Sequence, residues 1–168
     1  MTILAIDAGT TGVTCLLVDD RGNLIAKGYQ EFEQYFPNPG WVEHEPEQIW
    51  QAVLASATKA IEASPTAEIR AIGITNQRET VALWNRETLE SPRRAIVWQD
   101  RRTAELVSAL RQQGLEELVR EKTGLGLDPY FSSSKLLWIS QNEPEIWAQI
   151  VAGKLAISTI DSYLVARL

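Results

Sequence analysis

The stretch from Ile3 to Asp20, ILAIDAGTTGVTCLLVDD, constrains the fold more than any other. It opens as an apolar strand, Ile3-Leu4-Ala5-Ile6, that closes on a single acid, Asp7. Five small residues follow, Ala8-Gly9-Thr10-Thr11-Gly12, and then a second apolar run from Val13 to Val18. That run stops at Asp19-Asp20-Arg21-Gly22-Asn23. Two β-rich runs joined by a short glycine-bearing turn predict an antiparallel hairpin. Gly9 and Gly12 allow positive φ and close approach of a ligand. Successive N–H groups in such a turn, with the hydroxyls of Thr10 and Thr11 beside them, make a concave anion site. Asp7, at the strand end, is placed to hold a hydrated Mg2+ between protein and phosphate. The competing reading is an ordinary tight turn, in which glycine and threonine serve geometry alone. No Gly-Lys-Ser/Thr follows and the next element is a strand, so this is not a Walker loop.

Leu24 to Phe36 reads as a third strand, which makes the start of the chain a meander. The linker Pro37 to His44 is expected to be irregular, because proline and glycine break both periods. Ile49, Trp50, Val53, Leu54, Ala57 and Ile61 recur at helical spacing and predict an amphipathic helix over 45–63. Glu68 to Thr75 reads as a strand, and Asn76-Gln77-Arg78-Glu79-Thr80 interrupts it with a polar run. Strands are expected again at 81–84 and 94–98. Asp100 is the expected cap of a helix that carries Ala104, Leu106, Val107 and Leu110 and ends at Gly114. A short helix over 115–121 follows, then a loop over 123–134. Ser134 is the expected cap of a helix over 135–141. Further helices are expected from Pro144 to Ala152 and from Thr159 or Asp161 to Arg167. No interdomain linker is visible, so 168 residues are expected to form one domain with a real core.

The net charge of −6 argues against nucleic acid or an anionic membrane as the main partner. No apolar run approaches the ~20 residues that a bilayer span needs. Met-Thr-Ile-Leu lacks a basic region and a cleavage site, so no signal peptide is expected. The lone Cys15 has no internal partner, which suits a reducing cytosol, and it reads as a small buried hydrophobe. The single His44 leaves little room for a His-based metal site or triad.

Three further features bear on chemistry. Arg78 offers five donors in a rigid fork and Glu79 offers acceptors, so together they suit neighbouring hydroxyls of a polyol. A solvated turn with a surface ion pair competes with that reading. Trp98 ends a strand beside polar residues, where an indole face can pack on the C–H face of a polyol, although a core tryptophan is the plainer alternative. Tyr130, after Asp128-Pro129, has a phenol within reach of a ligand or simply packs on the surface. The pair Arg101-Arg102 reads as a solvated helix start. Trp41 to Pro46 reads as a structural corner, with Trp41 buried and His44 hydrogen-bonded.

Taken in order, Ile6 to Gly12, Pro39 to His44, Gly73 to Thr80, Val97 to Arg102, Thr123-Gly124-Leu125 and Asp128 to Ser132 resemble the N-terminal domain of the FGGY carbohydrate kinases, and in particular its glycerol kinases. The resemblance spans nearly the whole chain, so 1–168 is expected to be that domain. The hairpin is shared across the wider actin-like and hexokinase-like group. The combination of Asn-Gln-Arg-Glu-Thr, Trp-Gln-Asp-Arg-Arg and Asp-Pro-Tyr-Phe-Ser is specific to glycerol kinases.

The resemblance implies an α/β, ribonuclease H-like (actin-like ATPase) fold: a mixed sheet with an antiparallel β-meander and flanking helices. It implies transfer of the γ-phosphoryl group of ATP, with Mg2+, to glycerol by a cytoplasmic enzyme that is a homo-oligomer when complete; a kinase for another small polyol or sugar, and a non-catalytic actin-like sugar-binding module, are the competing readings. Arg78, Glu79 and Tyr130 fall where the family contacts glycerol hydroxyls, and Trp98 where it packs on the carbon backbone. Thr10, Thr11 and Gly12 fall on the phosphate-binding turn, and Asp7 on the acid associated with the metal. Thr14 stands on the cofactor side where the family often has arginine, so one phosphate contact is expected to be lost or supplied elsewhere. The family's general base, in a Gly-Asp-Gln motif, has no counterpart here, nor has the adenosine-binding domain. The chain is therefore expected to be half of a two-domain enzyme and inactive on its own.

Overall fold

The computed structural model describes all 168 residues. In chain order the elements are β1 (Thr2–Ala8), β2 (Gly12–Asp19), β3 (Leu24–Glu31), β4 (Gln34–Tyr35), β5 (Glu43–His44), α1 (Pro46–Glu62), β6 (Ile69–Asn76) and β7 (Ala82–Asn85). There follow β8 (Ala95–Ile96), α2 (Ala104–Gln112), α3 (Leu115–Thr123), α4 (Ser132–Asn142), α5 (Pro144–Val151), β9 (Leu155–Ser158) and α6 (Ile160–Arg167). Residue contacts divide the chain into two compact units. The first comprises Met1–Gln34, His44–Arg78 and Ile160–Leu168, and the second Tyr35–Glu43 and Glu79–Thr159.

In the first unit β1 and β2 form the expected hairpin, with Ala8 opposite Val13 and Asp7 opposite Thr14. β3 continues the meander antiparallel to β2, and β6 lies parallel to β1, so the sheet order is β3-β2-β1-β6. The third strand is shorter than expected. It ends at Glu31, Phe32 meets the His44 ring edge-on at 5.0 Å, and Gln34–Tyr35 forms a separate strand. β5 likewise lies inside the stretch expected to be irregular.

Alternation decides the faces of this sheet. Leu4, Ile6, Ala8, Val13, Cys15 and Leu17 are buried on one side, where α1 packs with Ile49, Ala52, Val53, Ser56 and Ala60. Strand and helix backbones touch at Gly28, where an added Cβ would lie 1.9 Å from the carbonyl oxygen of Ser56. Cys15 Sγ is 3.1 Å from Ser56 Oγ in the same contact and is buried, as expected. α6 also belongs to this unit, and Arg167 donates to Glu47 of α1 at 2.7 Å.

In the second unit β7 pairs antiparallel with β9, and Val81 bridges Ile96. The core is Leu83, Ile96 and Ile139, with Trp138, Ile146, Trp147 and Ile150 packed around it. β9 was not legible beforehand, because four residues after the left-handed Gly153 (φ 72°) offer no period to read. No helix is long and apolar enough to cross a membrane.

Candidate functional site

The turn between β1 and β2 is fixed from below by Gln77. Its backbone N–H donates to the carbonyl of Ala8 at 2.9 Å, and its side-chain Nε2 donates to the carbonyl of Gly9 at 3.2 Å. The same Nε2 lies 3.1 Å from His44 Nδ1, which accepts and so leaves the ring proton on Nε2. That Nε2 is buried without a hydrogen-bond partner. Burial pushes the His44 imidazole down to about 4, so the ring is neutral at physiological pH. Gly12 has no room for a side chain: an added Cβ would meet the Gln30 carbonyl and the Tyr29 hydroxyl at 2.7 Å each.

Asp7 is exposed at the end of β1, and Thr14 stands directly across from it. Thr10 is half-buried and Thr11 exposed. No cluster of three or more His, Cys, Asp or Glu gathers anywhere in the structure. A lone exposed carboxylate fits Mg2+ only in its usual hydrated form, where waters and phosphate oxygens fill most of the octahedron. Arg78, which ends the His44–Arg78 segment of this unit, is exposed.

In the second unit three candidate residues lie on segments that hydrogen bonds hold together. Glu79 adopts a left-handed backbone (φ 68°), which is strained for a residue with a side chain. Its Oε2 accepts from the backbone N–H of Ser132 at 2.8 Å and from the Ser132 hydroxyl at 2.7 Å. Ser132 opens α4, so the carboxylate sits at a helix N-terminus that no side chain of the N-cap residue, Phe131, satisfies. Thr80 Oγ1 accepts from the backbone N–H of Trp98 at 3.2 Å. Trp98 and Tyr130 meet edge-to-face at 5.8 Å, and both are half-buried. Trp98 is therefore not a core tryptophan.

The loop before α4 is held from two sides. Asp128 Oδ1 accepts from the Tyr130 N–H at 2.8 Å. Lys135 Nζ donates to the carbonyls of Pro129 and Tyr130 at 2.8 and 2.6 Å. In the sequence Lys135 is only the first residue of an expected helix, and Gln77 only part of a polar run. Their roles depend on partners distant in space. The one available signal is that Lys135 lies four residues before the core residue Ile139, on the buried side of its own helix.

Three expectations fail here. Asp100 does not cap α2. Its carboxylate instead accepts from the N–H of Val42 at 2.7 Å, the N–H of Arg102 at 2.8 Å and the Arg102 guanidinium. Arg102 is not solvated. Its side chain is 1 % exposed, paired with Asp100 and Glu43 and lying over Trp41 and Trp138 with Cζ 3.8 and 4.9 Å from the ring centres. Two carboxylates and two indole faces offer more than water does. Ser134 does not cap α4, which starts at Ser132. The Ser134 hydroxyl bonds back to the Phe131 carbonyl at 3.1 Å.

A three-stranded meander joined to a parallel strand, with helices outside, is the ribonuclease H-like arrangement of the actin-like sugar kinases. The pattern described as the FGGY family of carbohydrate kinases, N-terminal domain, matches residues 2–168, and the chain belongs to that family. It is 49 % identical over 168 residues to a glycerol kinase of Sinorhizobium fredii, covering 99 % of this chain and 34 % of the relative. It is 52 % identical over 167 residues to a glycerol kinase of Gluconobacter oxydans, covering 99 % and 33 %. The crystal structure of Plasmodium falciparum glycerol kinase with ADP superposes with a TM-score of 0.93 at 35 % identity, covering 98 % of this chain and 33 % of that one. The chain thus spans about a third of the length of the relatives it matches.

Proposed function

We propose that this chain supplies the acceptor-recognition groups and one phosphate-binding turn of a glycerol kinase, which transfers the γ-phosphoryl group of ATP to glycerol. The observation that carries the reading is Glu79. A glutamate held in a left-handed backbone has its carboxylate fixed on Ser132, two residues from Tyr130, and so stands in one place beside the other candidate residues. Backbone strain of that kind is tolerated where a carboxylate must stand in one place for a ligand.

In this reading Glu79 accepts from one hydroxyl of glycerol, and Arg78, the residue before it, donates to its neighbours. The edge-on pair of Trp98 and Tyr130 offers an apolar face to the carbon chain and a phenol to a hydroxyl. The N–H groups and hydroxyls of Thr10, Thr11 and Gly12, with Thr14 beside them, receive phosphate oxygens. Asp7 is the residue that would hold a hydrated Mg2+, which would supply charge neutralisation to the phosphates. Relatives of about 50 % identity that bear the name glycerol kinase, and the ADP in the Plasmodium structure, support glycerol and ATP as the substrates. No residue of this chain is assigned as general base, so phosphoryl transfer belongs to a polypeptide of the relatives' length. The same reading extends to a cytoplasmic enzyme, supported by a lone buried thiol, and to assembly from identical subunits, supported by exposed Phe36, Val151 and Val165.

Calorimetry of this chain with glycerol tests the reading. Binding is expected in the wild type, with a loss of about 1–3 kcal/mol in Arg78→Lys, which keeps charge but loses the planar fork. Equal affinity in wild type and Arg78→Lys would remove Arg78 from the site. No heat with glycerol, but heat with a pentulose or hexitol, would move the acceptor to another polyol. Sustained formation of glycerol 3-phosphate by this chain alone would overturn the assignment of the base elsewhere.

A further inference from the structure

Lys135 is fully buried, yet no carboxylate touches it. Its ammonium instead donates to three successive carbonyls, those of Pro129 (2.8 Å), Tyr130 (2.6 Å) and Phe131 (3.4 Å). An ammonium has three donors, and here all three are spent on one bend of backbone. Taking an ammonium out of water without a contacting counter-ion is costly, so such an arrangement is a poor way to gain stability alone.

The bend it gathers is the one that presents Tyr130 to Trp98 and delivers Ser132 to Glu79. Arg111 donates to the Leu127 carbonyl, Arg101 pairs with Asp128 and the Ser134 hydroxyl bonds to the Phe131 carbonyl, so the loop is held mainly by polar contacts. On its other side an apolar cavity of about 260 Å3 is lined by Leu125, Leu127 and Phe131 of the loop and by Val107, Leu110 and Leu137 of the helices. A loop that borders a void has no close-packed wall to fix it. Its position therefore depends on polar anchors, and among them Lys135, from within α4, is the one that gathers three successive carbonyls.

We propose that Lys135 is a positioning residue for polyol recognition: by drawing the 129–131 carbonyls to one point it sets where Tyr130 presents its phenol beside Trp98. The inference rests on the reading of Tyr130 and Trp98 as acceptor-binding residues. It adds that recognition requires a charged group that never touches the acceptor.

The charges around the ammonium make the anchor sensitive to pH. Burial dominates and brings Lys135 down to about 8; Asp100, Glu79 and Asp128 pull upward and Arg102 downward. Above that point a three-donor cation becomes a two-donor amine, and one carbonyl is released.

The test uses this chain with tyrosine labelled with 13C at the carbonyl, the Tyr130 signal being assigned by its loss in Tyr130→Phe. Glycerol affinity is measured by calorimetry alongside it. In the wild type, the Tyr130 carbonyl resonance and the glycerol affinity are expected to change together with a midpoint near pH 8. Lys135→Met is expected to weaken glycerol binding about tenfold or more and to remove the midpoint. Lys135→Arg is expected to regain part of the affinity and to lose the pH dependence, since a guanidinium stays charged throughout. Unchanged affinity in a folded Lys135→Met chain overturns the inference alone. If that variant does not fold, the wild type decides: a Tyr130 carbonyl signal and affinity flat from about pH 6 to about pH 10 overturn the inference too. Absence of any polyol binding in the wild type overturns the functional reading, and this inference with it.

Discussion

The turn at Gly9–Gly12 and the loop at Asp128–Phe131 are candidates for the same kind of work, and they are held by opposite means. The turn is held by neutral groups: a seven-residue antiparallel ladder, a parallel strand, and the amide of Gln77 bridging the Gly9 carbonyl to a neutral histidine. The loop is held by charges taken out of water: Lys135 on three carbonyls, Glu79 on Ser132, and the nearby Asp100–Arg102–Glu43 cluster. A ladder tolerates the loss of one bond, because its neighbours keep the register. A buried charge does not tolerate the loss of its partner, because what remains is an unpaired ion. The two units should therefore fail in different ways.

The largest expected effect tests the charged side. Arg102→Ala leaves Asp100, with a side chain 0 % exposed, without a guanidinium, and Glu43, 12 % exposed, with Arg93 alone. A loss of about 3–5 kcal/mol in unfolding free energy is expected by denaturant titration. A loss below about 1 kcal/mol would show that the remaining arginine, Arg93, can serve both carboxylates, and the contrast would lose its basis.

The next effect tests the packed side. Gly28→Ala drives a Cβ into the Ser56 carbonyl, and the helix must lift off the strand. About 3 kcal/mol is expected, the upper end for overpacking, because the obstacle is backbone and not the tip of a flexible side chain. The same titration reads it, and a near-neutral result would mean that α1 slides freely over β3.

The smallest effect sharpens the contrast by isolating the one pH-sensitive group beneath the neutral turn. His44 stays neutral in the folded chain down to about 4 but takes up a proton in the unfolded chain below its ordinary value of 6.5. The unfolded state binds more protons in that window, so stability rises with pH across it and is lost as pH falls from 6.5 towards about 4. A loss on the order of 2 kcal/mol is expected over that range, and His44→Gln should flatten it. An unchanged slope in His44→Gln would assign the acid sensitivity to carboxylates instead.

The same contrast explains what could be read from the sequence. The first unit was legible almost throughout, because strand alternation and the helical period of α1 are local signals that tertiary contacts reinforced. Leu4, Ile6 and Ala8 alternate in the sequence and alternate in burial. The second unit was legible in its helices but not in its polar connections. Asp100 looked like a helix cap because aspartate before a helix usually is one. Here Val42, 58 positions away, offered a buried N–H first. Arg102 looked solvated because nothing nearby in the sequence shows that Glu43, Trp41 and Trp138 surround it. Of the candidate residues, Glu79, Trp98 and Tyr130 were proposed from residue type and motif, and the structure holds their segments together by hydrogen bonds and an edge-to-face ring contact. Lys135 was not among them, because its hydrogen bonds go to backbone carbonyls, and every residue has one.

The contact of Cys15 with Ser56 gives the chain a clock. It is the only thiol among 168 residues, it is buried where strand meets helix, and burial raises its pKa, so in the closed state it is protonated and out of reach of any disulfide reagent. Each modification event must then report a moment when α1 has parted from the sheet. The rate at which a thiol reagent consumes Cys15, followed against reagent concentration, separates how often that gap opens from how long it stays open. Ligands bound at the turn can be ranked by how far they slow it, without labels and without a measurable turnover.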